Sequence, residues 1–337
     1  MFIIVEGTDA SGKTTLVNEI QKQLETLFPR KNIEFYHKSK PEQMTRRWVL
    51  EDYVTSIETG DWQNRIAVAD RWHWGEVTYA PLKRPESSTD GYGLLGVAGW
   101  RWVELFLRSR GVAQFWLYQP LAVIKERLSS RGDDYVKADE LEKILELYQF
   151  AARNCAMLVD VLEPEPDSLH RVHDLARSII DEAYYEKELV EPLRDFPYYI
   201  GSRYPDVLLV GDKRNITSKY GEETILPFMP VDGNSGDFLL SSLPSPFWKN
   251  IGLININEIN SINVDLLWNI LGHPPIIALG RLAEKGLRTH GFKEDSYVVL
   301  PHPQHVRRFF NSRKDDYGIE IYRQAQSFDR ESTWILR

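Results

Sequence analysis

Cysteine is nearly absent: Cys155 is the only one in 337 residues. An internal disulfide, a four-cysteine zinc site and a cysteine-held iron–sulfur cluster are therefore excluded, and a reducing cytoplasmic setting is expected. Positive charge is also in deficit, with 41 Lys and Arg against 49 Asp and Glu and a net charge of -8. No global field would hold such a chain on nucleic acid or an anionic membrane, so any basic groove must be local. No run approaches the roughly 20 uncharged apolar residues that cross a bilayer. The opening Met1-Phe2-Ile3-Ile4-Val5-Glu6-Gly7 has neither a basic flank nor a small-residue cleavage site, so it reads as structure, not as a targeting signal, and no membrane partner is expected. There is no internal repeat.

What is present is enough apolar material, 42% of the chain, for two domains. From the start to about residue 185, short apolar runs (2–5, 66–69, 114–118) alternate with helical patterns (13–27, 121–130, 139–157). Strand followed by helix, repeated, is the pattern of a parallel sheet with crossover helices. After a Glu- and Lys-rich helix come Pro192, Pro197 and the turn Gly201-Ser202, and the same rhythm restarts with runs at 206–210, 253–256, 276–279 and 297–300. The expected fold class is α/β: two three-layer α/β domains with mainly parallel sheets, at 1–188 and 201–337, joined by a linker at 189–200. The Gly/Pro/Ser-rich stretch 227–246 reads as a long ordered loop, of the kind that often carries function.

Gly7-Thr8-Asp9-Ala10-Ser11-Gly12-Lys13-Thr14 satisfies the P-loop pattern, and it lies between an apolar strand and a helix, as the mechanism requires. Glycines allow backbone N–H groups to turn inward onto a triphosphate, and the following helix aims its positive end at the same point. ATP is the expected cofactor, held by Gly7, Thr8, Ala10, Ser11, Gly12, Lys13, Thr14 and Thr15. Lys13 is expected on the β- and γ-phosphates, and Thr14 on Mg²⁺.

The run from Phe2 to Leu16 resembles the opening of thymidylate kinases, whose loop contains an acidic residue matched here by Asp9. That resemblance implies that Asp9 faces the nucleotide being phosphorylated; the residues alone equally allow it to tighten the turn. Val68-Ala69-Asp70-Arg71-Trp72 is similar to the family's strand ending in Asp-Arg-aromatic, and Tyr79 matches a tyrosine on the next helix. By resemblance Arg71 binds the acceptor's phosphate, for which a guanidinium fork is suited, and Asp70 helps position Mg²⁺ or water. Arg127 and Arg131, with Gly132-Asp133-Asp134-Tyr135, resemble the lid region, in which arginines close over ATP and stabilise the transferring group. Spaced four apart, they also fit a solvated helix face. Tyr148 fits the family pattern and fits a core tyrosine equally.

The family's Arg-Glu-Pro-Gly-Gly segment is replaced by His37-Lys38-Ser39-Lys40-Pro41-Glu42-Gln43. Its thymine-stacking arginine is not recognisable, leaving Arg46, Arg47 or Arg65 as substitutes. Trp72, Trp74, Trp100 and Trp102 read either as a base-stacking wall or as core. The resemblance spans roughly residues 1–185 and implies a P-loop kinase fold, with a homodimer left open.

In the second half, Leu208-Leu209-Val210-Gly211-Asp212, Pro227-Phe228, Gly233-Asn234-Ser235-Gly236, Leu253-Ile254-Asn255, Ile277 to Ala283 and Val299-Leu300-Pro301-His302-Pro303 resemble the uracil-DNA glycosylase superfamily, in the family's order. The resemblance implies that Phe228 stacks on a pyrimidine, Asn255 reads its polar edge, His302 sits by the carbonyl between the ring nitrogens, and Asp212 occupies the water-activating position. Such groups replace a base's pairing partners when it leaves the stack. Gly211-Asp212 is followed by Lys213-Arg214-Asn215 and Pro303 by Gln304-His305, both departures from the family. His302 also fits a helix cap, and Lys213, Arg214, Arg307, Arg308 and Arg313 fit either a phosphate-binding rim or a solvated face.

Three functions follow. The first is Mg²⁺-dependent phosphoryl transfer from ATP to a pyrimidine deoxynucleoside monophosphate, with an appended pyrimidine-recognising domain. The second is phosphorylation of a modified pyrimidine such as 5-hydroxymethyluracil in DNA, the second domain holding or flipping the base. The third is a DNA glycosylase with a nucleotide-regulated domain.

Overall fold

The structure, a computed structural model, describes residues 1–39, 41–58, 65–87, 90–131, 136–137, 139–158, 160–162, 169–212, 226–231, 233–256 and 264–332. Five strands build the first sheet: β1 (Phe2–Glu6), β2 (Ile33–His37), β3 (Ile66–Asp70), β4 (Val112–Leu117) and β5 (Asp160–Leu162). Their order is β2-β3-β1-β4-β5 and every pairing is parallel. Apart from Phe2, every residue of β1, β3 and β4 is buried, because a central parallel strand is covered on both faces. On one face Ile3, Val5, Val68, Ala113, Phe115 and Leu117 pack with Leu16, Ile20 and Leu24 of the helix Lys13–Leu27 and with Ile179 and Ile180 of the helix Leu169–Val190. On the other, Trp116 stacks on Tyr148 of the helix Leu141–Asn154 with ring centroids 6.3 Å apart. β1 is the switch point of the sheet, with one set of strands built out on each side, and its carboxyl end is where α/β sheets bind ligands.

A second sheet comprises β6 (Ile200–Gly201), β7 (Val207–Gly211), β8 (Ile251–Asn255), β9 (Ile276–Leu279) and β10 (Tyr297–Leu300), in the order β10-β9-β7-β8-β6. All pairings are parallel except β6 with β8. Leu208, Val210, Ile254, Ile276 and Ala278 pack with Leu267 of the helix Val264–Ile270 and with Ala283 and Leu287 of the helix Arg281–Thr289. Both units are thus α/β with mainly parallel sheets, and the first has the strand order and loop of a P-loop kinase.

The units are residues 1–96 with 110–189, and residues 97–109 with 190–337. The helix Gly96–Ser109, which the sequence rhythm keeps with the first domain, therefore belongs almost wholly to the second. Its polar side chains explain why. Arg101 donates to the carbonyls of Leu240 and Leu243 at 2.6 and 2.7 Å, and Arg108 to that of Lys249 at 2.6 Å. A guanidinium at a helix C-terminus satisfies carbonyls that have no partner within the helix.

The stretch 227–246 is not simply a loop. It contains the helix Ser235–Ser242, started by Asn234, whose side chain accepts from the N–H of Asp237 at 2.8 Å. Trp72, Trp74, Trp100 and Trp102 are all buried at 0–1% exposure, so of the two readings of these tryptophans core packing holds, although Trp72 also lines a cavity. Among the described residues no helix is long and apolar enough to cross a membrane.

Gly201 sits at φ 137°, and a Cβ there would overlap the carbonyl of Ile251 on the paired strand β8. Gly201→Ala is expected to cost about 2 kcal/mol or more, measured by chemical denaturation. A loss below about 0.5 kcal/mol would mean that this close pairing contributes nothing.

Candidate functional sites

The P-loop owes its shape to residues with positive φ. Gly7 has φ 155°, Ala10 60° and Gly12 98°. A Cβ on Gly7 would lie 2.7 Å from the carbonyl of Leu117, so only glycine lets β1 and β4 stay this close as the chain turns. Lys13 opens the helix Lys13–Leu27 and is itself 5% exposed. Its ammonium donates to the carbonyl of Thr8 at 2.7 Å. Burial pushes it down to about 7, with repulsion from Arg71 adding and Asp70, Asp9 and Glu6 opposing. The hydroxyls of Thr8 and Ser11 are buried without a hydrogen-bond partner among the described residues. Such groups cost free energy unless a ligand meets them. Thr14 and Thr15 are exposed on the first turn.

Arg127, on the helix Leu121–Arg131, reaches the same loop: its Nη1 donates to the carbonyls of Ala10 and Ser11 at 3.4 and 3.3 Å. The helical spacing alone allowed a solvated face, whereas here this guanidinium lies against the cradle. The backbone of Arg131 ends that helix, while its side chain and Gly132-Asp133-Asp134-Tyr135 lie outside the described residues. Tyr148 donates to the carbonyl of Gly7 at 2.7 Å, tying the helix Leu141–Asn154 to the loop.

Asp9, Arg71 and Tyr79 form one cluster. Arg71 pairs with Asp9 Oδ1, and the Tyr79 hydroxyl donates to Oδ2 at 3.1 Å. The Arg71 guanidinium also lies 4.9 Å from the centroid of the Tyr79 ring, within cation–π range. Burial would raise the Asp9 carboxyl, but the charges of Arg71 and Lys13 and the two hydrogen bonds outweigh it, holding Asp9 below the usual carboxylate range. Among the described residues Arg71 Nε is buried without a hydrogen-bond partner, as is Asp70 Oδ1. Asp70 Oδ2 stands 3.7 Å from His37 Nδ1. The exposed Thr14 hydroxyl and the Asp70 oxygen are the kind of oxygen donors that Mg²⁺ takes alongside nucleotide phosphates, so the residues fit that ion.

Arg71 has φ 69°, a left-handed conformation that costs a non-glycine residue on the order of 1 kcal/mol or more. Glu6 holds the turn in place, its Oε1 accepting the N–H groups of Trp72 at 2.8 Å and Trp74 at 3.4 Å. Nothing in the sequence marks Glu6 for this role beyond its place before the loop.

Next to Arg71 opens a cavity of about 480 Å³, whose lining includes His37, Lys38, Tyr53, Trp72, Lys83 and Arg84. Arg46, Arg47 and Arg65, the expected stand-ins for a base-stacking arginine, are not in it. Arg46 bonds the Leu94 carbonyl, Arg47 pairs with Glu51, and Arg65 pairs with Glu34. The arginines that line the cavity are Arg71 and Arg84.

In the second unit, the four residues singled out from the sequence lie at carboxyl ends of parallel strands. Asp212 follows β7, Asn255 ends β8 and His302 follows β10. Phe228, at φ 52°, brings its ring to the same place. A Cβ on Gly211 would fall 2.5 Å from both Asn255 Oδ1 and Phe228 Cζ, so an aromatic edge and an amide meet over bare backbone. Asn255 is 4% exposed and makes no side-chain hydrogen bond among the described residues. The Trp102 indole donates to the carbonyl of Pro227 at 2.9 Å, fixing the approach to Phe228. His302 accepts the N–H of Gln304 at 3.2 Å and so does cap the helix Pro303–Phe310. Burial lowers its pKa and His305 adds to this, while Asp212 opposes. Lys213, Arg214 and Asn215 lie outside the described residues.

No family model matches the chain. The SPbeta prophage-derived uncharacterized protein YorR of Bacillus subtilis is 24% identical over 155 residues, 46% of this chain and 84% of YorR. The solved structure of YorR in complex with phosphorylated GDP has a TM-score of 0.43 at 22% identity, covering 56% of this chain and 98% of that one. Deoxyadenosine kinase from M. mycoides with dCMP and dCDP has a TM-score of 0.36 at 13% identity, over 54% and 100% of the two chains. Shikimate kinase from Acinetobacter baumannii in complex with shikimate has a TM-score of 0.27 at 18% identity, over 55% and 93%.

Burial raises the Glu6 carboxyl, with His73, the Trp72 and Trp74 amides and Arg71 pulling the other way. A carboxyl raised on folding above its ordinary 4.5 supports the fold fully below that pH and loses this support as pH rises through the folded value. Glu6→Gln keeps an acceptor for the two amides and removes the titration. Its melting temperature should gain on the wild type between pH 5 and 8, and a difference that stays constant over this range would contradict the assignment.

Proposed function

We propose that the chain is an Mg²⁺- and ATP-dependent phosphotransferase whose acceptor is a pyrimidine deoxynucleoside monophosphate. The observation that carries this reading is the juxtaposition of Lys13 in its bent loop with Arg71, itself held by Asp9 and Tyr79 at the mouth of a cavity with cationic walls. On this reading Lys13 exchanges the Thr8 carbonyl for β- and γ-phosphate oxygens, and a triphosphate restores its full charge. Arg127, already against the loop, neutralises charge that spreads over the phosphoryl oxygens in transfer. Thr14 and Asp70 would hold Mg²⁺, which would supply further neutralisation of the phosphates. Arg71 gives up Asp9 to take the acceptor's phosphate in a bidentate grip, and Asp9 with Tyr79 turns to the acceptor's sugar. An acceptor oxygen then bonds to the γ-phosphorus as the bond to the β-bridging oxygen breaks, that oxygen leaving with the electron pair on ADP. Closing arginines keep water from taking the acceptor's place.

The second unit gives a specific reason for a second reading. Phe228 and the buried Asn255 amide, which makes no side-chain hydrogen bond among the described residues, offer a stacking face and a hydrogen-bonding edge, the two things a lone pyrimidine requires. On the glycosylase-like reading, with Asp212 and His302 in their family roles, this unit binds or flips a base in DNA, and the kinase unit phosphorylates a modified pyrimidine such as 5-hydroxymethyluracil.

ATP labelled at the γ-phosphate, offered in parallel to free monophosphates and to DNA containing 5-hydroxymethyluracil, tests both. Label on dTMP or dUMP supports the first reading, label in DNA the second, and label on neither contradicts both. Lys13→Ala should lower transfer by about a thousandfold or more by either route. Asn255→Ala should weaken binding of a pyrimidine-containing single strand by about tenfold, consistent with the net worth of a buried hydrogen bond, and leave ATP binding unchanged. Unaltered binding would remove the base-reading role of that amide.

A further inference from the structure

Phe228 holds a backbone conformation that a phenylalanine does not keep without support. Its φ is 52°, left-handed for a residue with a Cβ, and such outliers persist only where the surroundings over-determine them. Three neighbours, all within the second unit, fix the chain here. The fully buried Trp102 indole donates to the carbonyl of Pro227 at 2.9 Å. One residue past Phe228, Asn234 Nδ2 donates to the carbonyl of Met229 at 2.7 Å. Between them the Phe228 carbonyl rests against Gly236, where a Cβ would fall 2.1 Å from its oxygen. The two supporting elements are also tied to each other. Arg101, beside Trp102, bonds the Leu240 and Leu243 carbonyls at the end of the helix Ser235–Ser242, and Asn234 caps the start of that helix.

Burial alone does not account for this clamp, because Phe228 is only half-buried. What the clamp fixes is the direction of the ring, whose edge lies over Gly211 beside Asn255. We propose that Trp102 and Asn234 are positioning residues that hold Phe228 as a preset platform on which an unpaired base stacks. This rests on the reading of the second unit as one that binds a base. A ring already held in place need not be ordered when its ligand arrives, which lowers the entropy cost of binding, and stacking on an aromatic side chain is the contact that gains from it. Trp102 comes from the helix Gly96–Ser109, which in the sequence interrupts the first unit, so residues 190–337 by themselves lack half of the clamp.

Fluorescence anisotropy on the full chain tests this, with a labelled single strand carrying one 5-hydroxymethyluracil and the same strand carrying an abasic site there. Trp102→Phe keeps a ring in the core and removes the N–H donor. Asn234→Asp keeps the oxygen that caps the helix and removes the donor to Met229, and it decides alone if Trp102→Phe fails to fold. Each should weaken binding of the base-containing strand by about 3- to 10-fold, the worth of one hydrogen bond, and leave the abasic strand unaffected. In a Phe228→Leu background either substitution should change binding by less than about twofold, since the group it acts through is gone. A loss of equal size with and without Phe228, or binding that neither substitution alters, overturns the positioning role and leaves base binding in place. If the wild type does not distinguish the two strands, the base-binding reading and the positioning role fall together.

Discussion

An ammonium group enclosed by its own loop is the constraint on which the first unit turns. Lys13 is buried at the start of its helix, and in this structure it is satisfied by one backbone carbonyl, that of Thr8. Burying a cation costs free energy unless opposite charge or hydrogen bonds offset it; here the nearby carboxylates of Asp9 and Asp70 offset part of that cost. A polyanion would offset the remainder. The loop therefore encloses a cation that is only partly compensated, and Glu6 keeps the adjoining Arg71 turn in place through the N–H groups of Trp72 and Trp74.

Both sheets put their chemistry at the same kind of position, the carboxyl ends of central parallel strands. In the first unit β1 leads into the phosphate loop and β3 into Arg71; in the second β7 and β8 end at Gly211 and Asn255. The two ends differ in what they offer. One is crowded with charge and suits phosphates, while the other joins an aromatic ring to a neutral amide and suits a heterocycle.

Much of this was legible in the sequence wherever local chemistry and tertiary role coincide. The P-loop is contiguous, and its glycines are demanded by backbone angles the pattern encodes. β1, β3, β4 and β7 through β9 read as apolar runs because both their faces are covered. β2 is an edge strand with exposed and half-buried residues, and β6 is two residues long, so neither yields a strong run. The helix Ser235–Ser242 was hidden by its Gly and Ser content, although Asn234 with Asp237 three residues on is a start signal that could have revealed it. That Arg84, Glu76 and Tyr53 line one cavity was not legible, for another reason. They come from separate elements, carry no motif, and meet only because the β3 connection folds back across the helix Arg46–Glu58. His302 shows the reverse case, since the helix-cap role that the sequence allowed is the one its Nδ1 fills.

The central claim is that the bent loop around Lys13 is a receptor for a nucleoside triphosphate. The most direct measurement is a calorimetric titration of Mg²⁺–ATP into the purified chain, with Lys13→Ala alongside. The account predicts saturable one-to-one binding that weakens at least tenfold in the variant. No heat of binding in the wild type, or an affinity indifferent to the lysine, would contradict it.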